Sequence, residues 1–250
     1  MSIPRKELLG IQISVVDLPE LLTEIERLAE AKQPALVNNV NVHACNLAFE
    51  QPAFREILNR SEVVFCDGFG VKLGAALRGI RLGQRMTPPD WIDELFARCA
   101  AQGYSVYFVG DTAPVVEHFA QEVQRRYPKL KIAGWHHGFF PLQGAENEQL
   151  LSEIRDSGAD IILTGMGMPR QEFWAEDART HLEKGVLIAT GALFRWYTGF
   201  ERRAPKWITA IGLEWLARLL ASPSRHFRRY MIGLPHFFFR VLRFRTHAPK

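Results

Sequence analysis

The sequence predicts an α/β fold: a parallel sheet flanked by helices, with a basic helical appendage at the C-terminus. Three observations lead there. Short apolar, β-branched runs alternate with helical periodicity along most of the chain. Each run ends in a polar or glycine-rich turn, and the carboxyl ends of parallel strands are where such sheets collect ligands. Charge is also unevenly spread. Ten Arg and two Lys lie from Arg195 onward against only Glu201 and Glu214, which leaves residues 1–194 acidic, with 19 basic and 25 acidic side chains.

A chain of 250 residues, 47% of them hydrophobic, holds one large α/β core and an appendage. The boundary falls at 1–194 for the core and 195–250 for the appendage. In order, the strands are expected at Ala35 to Val37, Val63 to Phe65, Val106 to Val109, Ile161 to Thr164 and Val186 to Thr190. Their turns read NNVNVH, CDGFG, GDTAP, GMGMPRQE and GALFRW, and the site should be built from these five segments. Helical periodicity returns at Pro205 to Leu220, where Ile208, Ile211, Trp215 and Leu219 share one face and Arg218 lies at its edge.

The appendage interleaves its cations with Trp207, Trp215, Phe227, Tyr230 and the run Phe237, Phe238, Phe239. Cationic heads can pair with lipid phosphates while aromatic bodies sit at headgroup level, so an anionic membrane surface is the expected partner. A basic face on an ordinary globular protein is the plainer alternative. Nucleic acid is not expected, because no reading module accompanies the arginines. The N-terminus lacks an apolar signal region, and no stretch of about 18 apolar residues could span a bilayer, so membrane contact should be peripheral. Cys45, Cys66 and Cys99 show no CxxC spacing and read as core residues of a reducing cytoplasm.

Several segments carry chemistry. Asp67 follows a buried strand within CDGFG and precedes a helix, either as the cap of that helix or as a general base. Gly165 and Gly167 form a turn before a helix with Pro169 near its first position, where free amides can hold an anion such as a diphosphate. Gly110 and Asp111 repeat the arrangement, with Asp111 or Thr112 as a cap or a contact to ribose or phosphate. Asn38, Asn39 and Asn41 can bridge sugar hydroxyls, and Asx turns explain them almost as well. The pair His136-His137 invites a metal, but no nearby carboxylate or cysteine spacing supports it, so no metal ligands are assigned. Without an Asp-x-Asp, a nucleotide-sugar enzyme of this sequence would neutralise its diphosphate with arginines and helix termini, with no cofactor.

These stretches, in order, resemble the WecG/TagA/CpsF family of bacterial glycosyltransferases: NNVNVHACNLA, CDGFGVKLGAALRG, VYFVGDTAPVVEHFA, GFFP, ILTGMGMPRQEFW and RRAPKWITAIGLEWLARLLASPSRHFRRY. They cover nearly the whole chain. The resemblance implies a Rossmann-like core and inverting transfer of a sugar from a UDP-sugar to a polyprenyl-diphosphate-linked acceptor, on the inner face of the cytoplasmic membrane, in surface or exported polysaccharide assembly. It implies Asp67 as the catalytic base and Gln171 as a donor contact. It also implies that the appendage closes over the site and offers Arg218, Arg225, Arg228 and Arg229 to the diphosphate. Arg85 and Asp90 are carried over from the same family pattern, and such families often form homo-oligomers.

Two departures bear on the donor. Asn39 stands where relatives of this kind usually carry a threonine, two residues before Asn41. Arg195 stands in a segment where they usually carry an acid, and a cation there would suit a uronic acid, glucuronic or N-acetylmannosaminuronic, over N-acetylmannosamine. Phosphate binding or a structural ion pair are the other uses of Arg195. A non-catalytic nucleotide-binding protein held at the membrane is the alternative that shares the fold without needing Asp67.

Overall fold

A computed structural model describes residues 3–205, 208, 209 and 212–244, apart from the side chain of Arg225. A six-stranded sheet runs in the order β4-β3-β8-β7-β5-β6. Its strands are β3 (Pro34–Val40), β4 (Val63–Cys66), β5 (Ser105–Gly110), β6 (Lys131–His136), β7 (Ile161–Gly165) and β8 (Gly185–Ala189). The pairs β3/β8, β7/β8, β5/β7 and β5/β6 are parallel, as the alternation of strands and helices requires. All five expected strands are present. The edge strand β6 was not foreseen, nor was a separate antiparallel hairpin of β1 (Arg5–Leu8) and β2 (Ile11–Ser14). That hairpin turns through Leu9 and Gly10, both at positive φ, as the backbone of a two-residue turn demands.

By packing, the chain forms two compact units. One comprises the residues up to Asp17, Asn39–Met86 and the chain from Arg202 onward; the other comprises Leu18–Asn38 and Thr87–Glu201.

In the first unit the helices α2 (Val42–Glu50), α3 (Pro52–Arg60) and α4 (Phe69–Ala76) accompany β4. Its C-terminal part corrects the single helix expected over Pro205 to Leu220. Gly212 sits at φ 79°, where a right-handed helix cannot continue, and the regular helix is Glu214–Ala221. Trp207 and Ile211, assigned to that helix from sequence, lie outside the described residues. A helix follows at Pro223–Phe227, then a π-turn at Arg228–Ile232 and a helix at Gly233–Arg243.

The last helix is seated on α4. Phe237 is fully buried, and a Cβ on Gly74 would stand 2.6 Å from its ring, so only glycine admits that approach. Phe237 is therefore a core residue rather than one of three membrane-facing aromatics. Arg240 is likewise engaged within the unit: its guanidinium donates to Asn46 Oδ1 (2.9 Å) and Glu50 Oε1 (2.6 Å) and lies over the Phe49 ring.

In the second unit the sheet is covered by α1 (Leu18–Glu30), α5 (Pro88–Gln102), α6 (Ala113–Arg126), α7 (Ala145–Ser157), α8 (Arg170–Ala178) and the short α9 (Leu193–Tyr197). Leu21, Leu22, Ile25, Leu28 and Ala29 are the buried residues of α1, at the three- and four-residue spacing of an amphipathic helix. Phe108, Phe119 and Phe194 form an aromatic centre, with Phe119 and Phe194 stacked at 4.5 Å. The three cysteines are free and buried, and burial pushes the Cys66 and Cys99 thiols up to about 12, consistent with inert core residues.

Candidate functional site

The predicted site residues divide between the two units. β3 runs on through Val40, so Asn38, in the second unit, and Asn39, in the first, are buried strand residues rather than a turn. Asn41 is the N-cap of α2: its Oδ1 accepts from the amides of His43 (3.0 Å) and Ala44 (3.1 Å). The capping alternative thus describes Asn41.

The capping alternative does not describe Asp67. Its amide donates to Val40 O (2.9 Å), and the cap position of α4 belongs to Gly68, at φ 98°. Gly68 turns the chain sharply after β4 and leaves the half-buried Asp67 carboxylate at the strand end rather than on the first turn of the helix.

Arg229 feels the charges of Asp67, Arg218 and Glu214, and burial lowers its guanidinium from the ordinary value, although it stays charged near neutrality. Arg218 pairs with Glu214 at 2.5 Å. His43, which the sequence gave no reason to single out, is held down to about 4 by burial and then by the Arg229 charge, so it is a neutral imidazole at physiological pH. Arg85 is half-buried in the same unit and its charge reaches Cys66. Arg228 is exposed, and the side chain of Arg225 lies outside the described residues.

In the second unit the ends of β5, β7 and β8 converge. Gly110 and Gly165 face each other across β5 and β7, and a Cβ on Gly110 would stand 2.6 Å from the Gly165 backbone. Asp111 follows at φ 51°, a left-handed conformation that aspartate tolerates. Its Oδ1 accepts from the Thr112 amide at 2.7 Å, so Asp111 supports the start of α6 in the manner of a cap.

Arg195 grips the same carboxylate from α9, Nε to Oδ2 at 2.7 Å and Nη2 to Oδ1 at 2.7 Å. The structural ion pair is therefore the use the fold makes of Arg195, and the inference of a uronic acid donor from that cation loses its support. Asp90 is exposed in the first turn of α5, where a carboxylate complements the helix dipole.

The Gly165–Gln171 segment also differs in detail. Pro169, after a cis Met168–Pro169 peptide, is the cap position, and α8 starts at Arg170. The Gln171 side chain is fully buried. Its Oε1 accepts from the amides of Gly167 (3.1 Å) and Gly191 (3.2 Å), and its Nε2 donates to Glu172 Oε1 (2.8 Å). Gln171 thus braces the turns after β7 and β8 from behind, and one amide expected for an anion serves that brace instead. Gly167 and Gly191, at φ 79° and 58°, have open space where a side chain would stand, so a ligand could approach the backbone closely.

Glu172, also missed from sequence, is fully buried with no hydrogen bond to Oε2, and burial raises its carboxyl to about 7. His136 ends β6 and His137 follows it, and the structure supplies the carboxylate their sequence neighbourhood lacked: Glu146, in the first turn of α7.

Residues 6–250 match the family described as Glycosyl transferase WecG/TagA/CpsF family. Among curated proteins, the chain is 26% identical over 214 residues to an N-acetylglucosaminyldiphosphoundecaprenol N-acetyl-beta-D-mannosaminyltransferase of Bacillus subtilis (strain 168), covering 86% of this chain and 81% of that protein. It is 27% identical over 203 residues to a protein of the same name from Bacillus spizizenii (strain ATCC 23059 / NRRL B-14472 / W23), covering 81% and 77%.

Proposed function

The chain belongs to the WecG/TagA/CpsF family of glycosyltransferases, and from that premise we propose that it transfers N-acetylmannosamine from its UDP-sugar to a polyprenyl-diphosphate-linked N-acetylglucosamine acceptor. The two relatives carry that acceptor and that sugar in their names, which supports the reading here. The β-configuration in those names favours a single displacement with inversion, since a UDP-hexosamine presents an α-linked leaving group. One general base then suffices.

The observation that carries the proposal is the placement of Asp67. It sits at the carboxyl end of β4, relieved of capping by Gly68, with the charge of Arg229 within reach. Asp67 takes the proton of the acceptor hydroxyl as it attacks the anomeric carbon. Arg218 and Arg229 stabilise the charge that grows on a departing diphosphate, an interaction stronger in the transition state than in the ground state. The chemistry asks for no metal, because guanidinium groups neutralise phosphate through paired N–H donors.

Among the described residues, no helix is long and apolar enough to cross a membrane. We place the enzyme peripherally on the inner face of the cytoplasmic membrane, where a lipid-linked acceptor is reached from the side that holds UDP-sugars.

Transfer of labelled sugar from a panel including UDP-N-acetylmannosamine and UDP-glucuronic acid to undecaprenyl-diphosphate-N-acetylglucosamine, in EDTA, tests this. The expected result is transfer from UDP-N-acetylmannosamine alone, with a β product. Transfer from UDP-glucuronic acid in preference would overturn the donor, and an α product would overturn the inversion.

A further inference from the structure

A second kind of chemistry is assembled at the end of β6. His136 is the last residue of that strand, His137 follows it, and Glu146 lies in the first turn of α7. The ligand atoms of the three side chains all lie within 4.8 Å of one another. Two rings and a carboxylate meet there although eight residues separate His137 from Glu146 in the chain.

The local bonding suits a metal. His136 Nδ1 stands 2.8 Å from His137 O. A carbonyl only accepts, so that nitrogen carries the proton and Nε2 keeps its lone pair. This is the arrangement in which a histidine ligand is oriented by a backbone carbonyl.

His137 Nε2 is 3.7 Å from Glu146 Oε1. That is too long for a hydrogen bond, and it is close to the separation of about 3.4 Å that two ligands take on one tetrahedral ion at bond lengths of ~2.0–2.1 Å. His137 Nδ1 is buried and makes no hydrogen bond. Neither nitrogen of this ring is committed to a hydrogen bond within the protein.

The loop between strand and helix is also held in place. Gly138 N donates to Asp111 O at 2.7 Å, Arg170 donates to Gly138 O at 3.3 Å and to Phe140 O, and the Phe140 ring meets His136 edge-on at 5.3 Å. The ligands therefore need little ordering when an ion arrives.

We propose that His136, His137 and Glu146 bind a divalent cation of the zinc class, Zn2+ or Co2+, which clasps the end of β6 to the start of α7. Two imidazoles and one carboxylate select such borderline ions over Mg2+ or Ca2+, which prefer all-oxygen sites. Three protein ligands leave a fourth position for water. The site has no part in the metal-free transfer proposed above, and its test does not use transfer as a readout.

The test uses the full chain without an affinity tag, freed of metal by EDTA and then dialysed. Added Co2+ should give the visible absorption of a tetrahedral N/O site at a single equivalent, and Zn2+ should bleach it. Glu146→Gln and His137→Asn should each weaken Zn2+ binding by more than about tenfold, as loss of a ligand must when even supporting partners are worth 10–100-fold. Glu148→Gln, in the same helical turn, should leave it unchanged.

In the wild-type protein, Zn2+ should shield the His136-His137 peptide from diethyl pyrocarbonate while exposed His181 still reacts, a readout that needs no variant to fold. Absence of the Co2+ band together with equal labelling with and without Zn2+ overturns the proposal. So does Zn2+ binding of undiminished strength in Glu146→Gln and His137→Asn.

Discussion

Arg195 holds both carboxylate oxygens of Asp111 at 2.7 Å, joining α9 to the residue before the cap of α6. Asp111 is almost buried and Arg195 about one-third exposed, with side-chain exposures of 8% and 31%. The pair is thus neither a solvated surface bridge nor a fully dry one, and each hydrogen bond to a charged partner is worth about 1.5–3 kcal/mol. Replacing Arg195 by Met should lower the urea midpoint of unfolding and leave the order of preference among UDP-sugars unaltered. A variant that gained or lost a uronic acid donor would return Arg195 to the sugar pocket.

Asp67 gives the sharpest test of the chemistry. Gly68, not Asp67, is the cap residue of α4, so Asp67→Asn leaves the cap position intact, and the circular dichroism and urea midpoint should match those of the wild type. Turnover should fall by about 10²–10⁴-fold, the usual contribution of a general base. The split between kcat and KM should place the loss almost wholly in kcat. Near wild-type turnover would remove Asp67 from the role of base.

Glu172 makes stability depend on pH. Its carboxyl is raised from an ordinary 4.5 to about 7, with burial the leading cause. Between those values the unfolded chain has released a proton that the folded chain still holds, so the stability the buried acid contributes is full below pH 4.5 and is lost as pH rises through 7. Glu172→Gln keeps an acceptor for Gln171 Nε2 and cannot ionise. It should match the wild type near pH 4.5 and exceed it near pH 8 by on the order of 2–3 kcal/mol. Urea titrations at the two values measure this, and parallel pH profiles for the two proteins would remove Glu172 as the source.

The parts of this molecule legible in its sequence are those set by short-range pattern. The five buried strands were marked by continuous apolar runs, and Asp67 by its position between a strand and a glycine. β6 escaped because Lys131–His136 is an edge strand whose side chains are half-buried or exposed, so its sequence shows neither an apolar run nor alternation.

Relationships across the sheet were not legible at all. Asp111 and Arg195 are 84 residues apart and meet only because β5, β7 and β8 end side by side. The family resemblance implies Gln171 as a donor contact, and nothing in the local sequence marks its side chain as facing inward to the turns after β7 and β8. Glu146 was passed over for the same reason as a metal partner, since spacing along the chain says nothing of a helix that returns to a strand end.

The C-terminal helix separates two roles that composition had merged. On Gly233–Arg243 the buried residues are Phe237 and Val241, one helical turn apart, while Phe239 and Leu242 are 64% and 62% exposed and Arg243 is exposed beside them. Arg240 faces α2 and pairs with Glu50; Arg245 lies outside the described residues.

Membrane attachment should therefore depend on the outer face. Phe239→Ser with Leu242→Ser, and Arg243→Ser, should each reduce flotation with vesicles containing anionic lipid, the first pair by loss of apolar insertion and the last by about 1 kcal/mol of attraction to the surface. Arg240→Ser should leave the lipid affinity of the folded protein nearly unchanged and lower its stability, because the lost partners are Asn46 and Glu50 rather than phosphate. If Arg240→Ser abolished flotation without any shift in the urea midpoint, the assignment of the two faces would be reversed.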